Sequence, residues 1–382
     1  MQHFYFDHNA TTPVSQEVLE AVLPCLSEIY GNASSIHHFG QIARQRLEHA
    51  RRQVAALLNC DPREVVFTGG GTEADNMAVL GAGRGGHVIT STIEHTAVLS
   101  SCVELERQVA AVTRVPVGSD GVIDPDDVRR ALRPDTRLVS IMHANNELGT
   151  IQPIAEIAKI TREAGVLFHA DGVQALGKTP VDVQALGVDL YTITGHKVYA
   201  PKGAGALYMR KGVKLAPILF GGHHERGRRP GTENVAGAVG LGAAAEWLAH
   251  NQEAERARVA ALRDRLESGI LARIDEVAVN CGRAARTANT SNMCFHFIEG
   301  EPLVIALDLR GFAVSSGAAC SSGAVEPSHV LLAIGLSADA ARSSIRFSLG
   351  RSNTVEQVDA LVEAVAESVA HLRRIAPARA HV

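Results

Sequence analysis

Lys197 sits among residues that a solvated lysine has no need of. It lies in Thr194-Gly195-His196-Lys197-Val198-Tyr199-Ala200-Pro201-Lys202-Gly203, directly after an apolar run. Most lysines are surface charges. One crowded into a pocket with other polar groups gives up its proton more readily and can form a Schiff base. Asp171, with Gln174 three residues on, also follows an apolar run. An aspartate there often only caps a turn. Beside a phosphate site and a lysine, it can instead keep a pyridine nitrogen protonated and make the ring an electron sink. His95, after Glu94, has the chemistry to stack on such a ring and move protons near neutral pH. Gly69-Gly70-Gly71-Thr72-Glu73 opens a helical pattern, the arrangement that holds a phosphate through backbone N–H groups and the helix dipole. No lysine follows the glycines as in a Walker loop, and the spacing is not G-x-G-x-x-G. A monophosphate with something attached remains.

The elements that must position these residues alternate in type. Strand-like runs fall at 65–68, 87–90, 138–142, 166–169, 190–194 and 206–209, with little polar alternation, as expected of strands covered on both faces. Helical patterns lie between them; one from Ile154 to Ala164 stops at Gly165. This order predicts an α/β domain built on a mainly parallel sheet. In such sheets ligands bind at the carboxyl ends of the strands. The residues just past five successive strands are Gly71 and Thr72, His95, Asn146, Asp171 with Gln174, and His196 with Lys197. Five strands therefore deliver reactive or polar groups to one edge.

Residues 241–274 predict a long helix leading out of that domain, and the remainder a smaller α+β domain. The expected division is 13–250 for the large domain, with 1–12 and 251–382 forming the small one. The final helix repeats Val355, Val358, Val362, Val365, Val369 and Leu372 at three- and four-residue spacing, and packing onto its own domain is expected over a coiled coil.

Over essentially its whole length the chain resembles the NifS/IscS-type cysteine desulfurases, fold-type I pyridoxal-phosphate enzymes. The matching segments include Asp7 to Thr12, Thr68 to Asn76, Gly195-His196-Lys197, Gly221 to Glu233, Ser344 to Gly350 and, most specifically, Ser315-Ser316-Gly317-Ala318-Ala319-Cys320-Ser321-Ser322-Gly323. The resemblance implies that Lys197 carries pyridoxal 5'-phosphate, that Asp171 pairs with its ring nitrogen and that Gln174 bonds its ring hydroxyl. It implies that His95 stacks on the ring and assists acid–base steps, with Gly71, Thr72, Thr194 and His196 around the phosphate. Thr232 would reach the phosphate of the other subunit of a homodimer. Asn146 and Arg346 would position the carboxylate of L-cysteine, a task suited to a planar guanidinium. Cys320 would take the sulfur, since a thiol, unlike serine, can attack sulfur and keep it as a persulfide. The sulfur would pass to an acceptor such as an iron–sulfur scaffold protein, with Cys320 a candidate transient ligand of the cluster. Where the family often has Ser, this chain has Gly69 or Ala74, which implies fewer hydroxyl contacts near the phosphate. The alternatives are a selenocysteine lyase, another enzyme of this fold, or a catalytically silent scaffold; Cys320 and the set Lys197, Asp171 and His95 speak against them.

Bulk properties narrow the setting. The 382 residues carry a formal charge of −4, with 46% hydrophobic and 20% charged residues, which gives no general attraction to nucleic acid or anionic membranes. No run is long enough for a membrane span, and no secretory leader is visible at the start. Six dispersed cysteines without a C-x-x-C pair describe reduced thiols rather than a disulfide scaffold, so a cytoplasmic location is expected. His37-His38 and His223-His224 lack metal-ligand spacing, and no resident metal is expected.

Overall fold

The computed structural model describes residues 2–108, 110–316 and 326–375. Its largest sheet has seven strands: β1 (Val65–Thr68), β2 (His87–Ser91), β3 (Ala111–Val115), β4 (Thr136–Ser140), β5 (Leu167–Asp171), β6 (Leu190–Thr194) and β7 (Gly205–Met209). Their order is β1-β7-β6-β5-β4-β2-β3; β7 runs antiparallel to both neighbours, and the other pairings are parallel. Strands β1, β2, β6 and β7 are buried at every residue, which explains their unbroken apolar character. Strand β3, of sequence AVTRV, is an edge strand with mostly half-exposed residues. It was not among the expected runs, because an edge needs no continuous hydrophobicity.

A second, three-stranded antiparallel sheet pairs β10 (Ser344–Ser348) with β9 (Thr290–Phe295) and β9 with β8 (Val277–Val279). Phe4–Tyr5 pairs in parallel with Phe312–Ala313, so the chain start joins this part of the molecule. The helix Val235–Leu271 connects the two regions. Its first half buries Leu241, Ala244, Ala245 and Leu248 in the core beneath the large sheet. Its second half buries Val259, Leu262, Leu266 and Ile270 in a separate core with Phe6, Phe347 and Leu361. It begins earlier than its sequence suggested because Asn234 caps it, accepting from the Gly237 N–H at 2.9 Å. Glycines in its first turns are packing sites: a Cβ on Gly240 would lie 2.5 Å from Pro201, and one on Gly242 would lie 2.7 Å from the Ala50 Cα. The last described helix, Val355–Ile375, buries Val358, Leu361, Val362, Val365 and Val369 in the second core, as expected of packing rather than coiled-coil pairing.

Candidate active site

The parallel strands end at one cleft. It is lined by Gly71, Thr72 and Asp75 after β1, His95 after β2, Met142 and Asn146 after β4, Asp171 and Gln174 at the end of β5, and Thr194, His196 and Lys197 from β6. Asn9 and Ala10 reach it from the chain start, and Ser315 and Arg346 from the second region. The site residues expected at strand ends are thus brought together.

The phosphate-type corner starts with a helix that no side chain caps. The helix Gly71–Gly83 follows Gly70, whose φ of 153° suits glycine, and its N-terminus has no side-chain hydrogen bond. Open N–H groups and the dipole there attract an anion. Strand β7 comes so close that a Cβ on Gly205 would lie 2.8 Å from Gly70 backbone atoms. Glu73 steadies the turn by accepting from the Gly69 N–H at 2.8 Å, and Arg229 pairs with it at 2.7 Å. Ala74 is fully buried in a small core with Met77 and Leu207, so this position serves packing rather than the cleft. His196 bonds Thr11 Oγ1 at 3.2 Å, and burial beside Lys197 and Lys202 pushes its pKa down to about 4, which leaves it neutral.

Across the cleft, burial raises the Asp171 carboxyl while His95, the Val173 N–H bond and Lys197 pull it back. His95 caps the helix Thr96–Arg107: its Nδ1 accepts from the Ala97 N–H at 3.1 Å, so the neutral ring carries its proton on Nε2. Burial lowers its pKa, with Asp171 opposing that fall. Next to Asp171 lies a second buried carboxylate. Asp75 is 1% exposed, burial and Asp171 hold its pKa well up, and its Oδ1 has no hydrogen-bond partner. Its signal in the sequence was its position three residues after Thr72, on the same helix face.

Lys197 Nζ donates to the carbonyls of Asn9 at 2.5 Å and Ala10 at 2.7 Å. Burial, then the Arg346 charge, brings its pKa down to about 8. Two residues on, Tyr199 has a φ of 66° without being glycine; its N–H donates to Thr12 Oγ1 at 2.8 Å and its ring lies under the Arg351 guanidinium, 4.3 Å away. Arg346 pairs with Asp7 at 2.7 Å and donates to the Asn146 carbonyl at 3.1 Å, while its buried Nε remains unpartnered. Asn9 was read only as part of a motif; it is the residue through which Lys197, Gln174 and Asn146 are joined.

Two expected residues are not in this group. Thr232 lies with Gly69, Gly203, Glu225 and Arg229 around a neighbouring cavity. Cys320 lies outside the described residues. The other five cysteines are unpaired, and burial raises the pKa of each, to about 12 at Cys60 and Cys102 and about 11 at Cys281. Among the described residues no group of three or more metal-ligating side chains occurs, and no helix is long and apolar enough to cross a membrane.

Comparison with known proteins agrees with this geometry. The model of the aminotransferase class-V family matches residues 4–361. A cysteine desulfurase IscS of Dictyoglomus turgidum is 47% identical over 378 residues, covering 98% of this chain and 96% of the relative. One from Anaeromyxobacter dehalogenans is 50% identical over 381 residues, covering 98% and 94%. Among solved structures, a NifS-like protein superposes with a TM-score of 0.90 at 36% identity, covering 97% of this chain and all of that one. The structure described as SspA in complex with cysteine gives a TM-score of 0.80 at 35% identity, covering 92% and 99%.

Proposed function

Because the chain belongs to the class-V aminotransferase family and, within it, to the cysteine desulfurases, we propose that it binds pyridoxal 5'-phosphate in the cleft and removes sulfur from L-cysteine, leaving L-alanine and a persulfide on Cys320. The observation that carries this reading is the Lys197 amine, lowered to about 8, in one cleft with Asp171, His95 and the unpartnered Arg346 Nε.

The residues fit the cofactor. The uncapped helix start at Gly71, with Thr72, Thr194 and neutral His196, offers donors for a phosphate. Asp171 offers a buried carboxylate for a ring nitrogen, and Gln174 an amide for a ring oxygen. When bound, the ring would supply a carbonyl for Lys197 and a sink for the electrons of the substrate α-carbon.

The protein's own groups then have separable tasks. Arg346, oriented by Asp7 and Asn146, lines the cleft with N–H groups left to take an incoming carboxylate. Lys197, free in part at neutral pH, accepts and returns a proton at Nζ. His95 holds its proton on Nε2 and can offer it as a hydrogen-bond donor. Cys320 forms the new S–S bond as a thiolate; the electron pair of the broken C–S bond stays with the carbon skeleton, which protons complete as alanine. No external oxidant or reductant is required.

The remaining features belong to the same proposal. Residues 13–250 form the large domain, and 1–12 with 251–382 the small one, a division supported by the two separate cores. The enzyme works as a homodimer in which Thr232 serves the partner's phosphate; its place outside the cleft of its own chain supports this. Sulfur passes to an acceptor such as an iron–sulfur scaffold, in keeping with the IscS name of the relatives. Unpaired cysteines support a reducing, cytoplasmic setting. The test is alanine formation from L-cysteine, with sulfide released when a thiol reductant is added, followed by trapping of persulfide passed to candidate acceptors in its absence. Protein reconstituted with pyridoxal phosphate that forms no alanine would overturn the proposal.

A further inference from the structure

Behind the cleft, Lys178 sits at the centre of a hydrogen-bonded group to which the chemistry above gives no task. Its Nζ donates to Asn9 Oδ1 at 3.0 Å and to Gln174 Oε1. Gln174 Nε2 donates to the Asn9 carbonyl at 2.9 Å. Neither amide can be reversed without setting like against like. Asn9 Nδ2 faces the Asn146 carbonyl at 3.0 Å, and Gln174 Nε2 faces the Asn9 carbonyl, so both side-chain oxygens must point to Lys178. The side chain is partly buried overall, but its amine is enclosed among these amides. It finds two acceptors there and no carboxylate, while Lys197 and Arg346 stand nearby; burial and those charges push its pKa well down. An uncharged amine has two N–H groups, the number of acceptors present.

We propose that Lys178 is a positioning residue that fixes the Gln174 amide by occupying its oxygen, so that the cleft is offered an N–H and favours a ligand whose ring oxygen is ionised. Gln174 lines the cleft, and its remaining free donor is on Nε2. A residue that could accept as well as donate, such as glutamine, would weaken that hold and leave the Asn9 carbonyl alone to set the amide's orientation. The proposal rests on the pyridoxal phosphate reading and extends it to the protonation state of the bound ring.

The test uses full-length apo-protein titrated with pyridoxal phosphate, comparing wild type, Lys178→Met, Lys178→Gln, Gln174→Ala and the Lys178→Met/Gln174→Ala pair. The readouts are cofactor affinity and the pH at which the cofactor's visible band titrates. Lys178→Met should weaken affinity about tenfold, the size of one unsatisfied buried acceptor, and move the band's midpoint to higher pH, because a lost donor leaves the ring oxygen more basic. In the Gln174→Ala background the same substitution should change affinity by less than about twofold, since the effect passes through Gln174. Wild-type affinity and midpoint in Lys178→Met would overturn the proposal, as would an equal loss in both backgrounds. If Lys178→Met fails to fold, Lys178→Gln is judged by the same midpoint and affinity. Wild-type protein that takes up no pyridoxal phosphate would overturn the cofactor reading, and this proposal with it.

Discussion

Lys197 Nζ lies 2.5 Å from the carbonyl oxygen of Asn9, a residue that reaches the cleft from the start of the chain, just past the strand Phe4–Tyr5. The contact holds the amine in place without a carboxylate partner, and burial with the Arg346 charge sets its pKa at about 8 instead of 10.5. Capture of pyridoxal phosphate by apo-protein, read by borohydride trapping, should therefore rise with pH and level off near 8. In Arg346→Gln the plateau should come at higher pH, because a charge that disfavours the ammonium is gone. Between pH 8 and 10.5 the unfolded chain keeps a proton that the folded apo-protein has lost, so this group adds stability as pH rises through that window. A plateau near 10 in wild type would show that the amine is not tuned.

Arg346 should act on substrate more than on cofactor. Its guanidinium is already oriented by Asp7 and the Asn146 carbonyl, which leave Nε and one N–H on each terminal nitrogen free. Arg346→Lys cannot reproduce that fork. The KM for cysteine should rise about 10- to 100-fold, the span of a lost charge-assisted bond of roughly 1.5–3 kcal/mol, while cofactor affinity changes little. An unchanged KM in steady-state kinetics would remove Arg346 from carboxylate binding.

Glu94 is buried beside His95, accepts from Ser91 Oγ at 2.6 Å and the Met142 N–H at 2.9 Å, and has a pKa raised to about 8 by burial. The folded protein then binds a proton that the unfolded chain loses near pH 4.5, so stability falls as pH rises from about 4.5 to about 8. Glu94→Gln, which resembles the protonated form, should remove that slope. Thermal melts at pH 5, 6.5 and 8 should show the variant gaining on wild type by several kcal/mol at most. Parallel pH dependence in the two proteins would show that Glu94 is ionised in the fold.

Arg51 and Glu225 form a buried pair with two 2.7 Å contacts, and Glu225 also accepts from the Phe67 N–H at 2.9 Å. The pair pins the segment carrying Thr232 to strand β1. Arg51→Met should cost about 3–5 kcal/mol, because it leaves a buried carboxylate unpaired. Denaturant unfolding measures this, and a loss below about 1 kcal/mol would mean that the carboxylate escapes to water.

The parts of the site that were legible in the sequence are those delivered by strand ends. The run Leu190–Thr194 is buried at every position, and its last residues necessarily place His196 and Lys197 at the sheet edge. The direction of β7 was not legible, since an apolar run is the same read either way. Asn9 and Lys178 were not legible for a different reason. Each acts through contacts across tens to hundreds of residues, such as Asn9 Nδ2 with Thr290 Oγ1 at 2.8 Å, which no local pattern encodes. Thr232 shows the same limit from the other side, because its motif was recognisable but its place in a cavity beside the cleft, with Glu225 and Arg229, was not.

Cys320 decides the chemistry. The most direct measurement is alanine and sulfide formation from L-cysteine by Cys320→Ala protein that retains the cofactor's visible band. With a thiol reductant present wild type should release both in equal amounts, and without one it should form alanine and carry a trappable persulfide on Cys320, while the variant should do neither. Sulfide release by the variant at the wild-type rate would contradict desulfuration through Cys320.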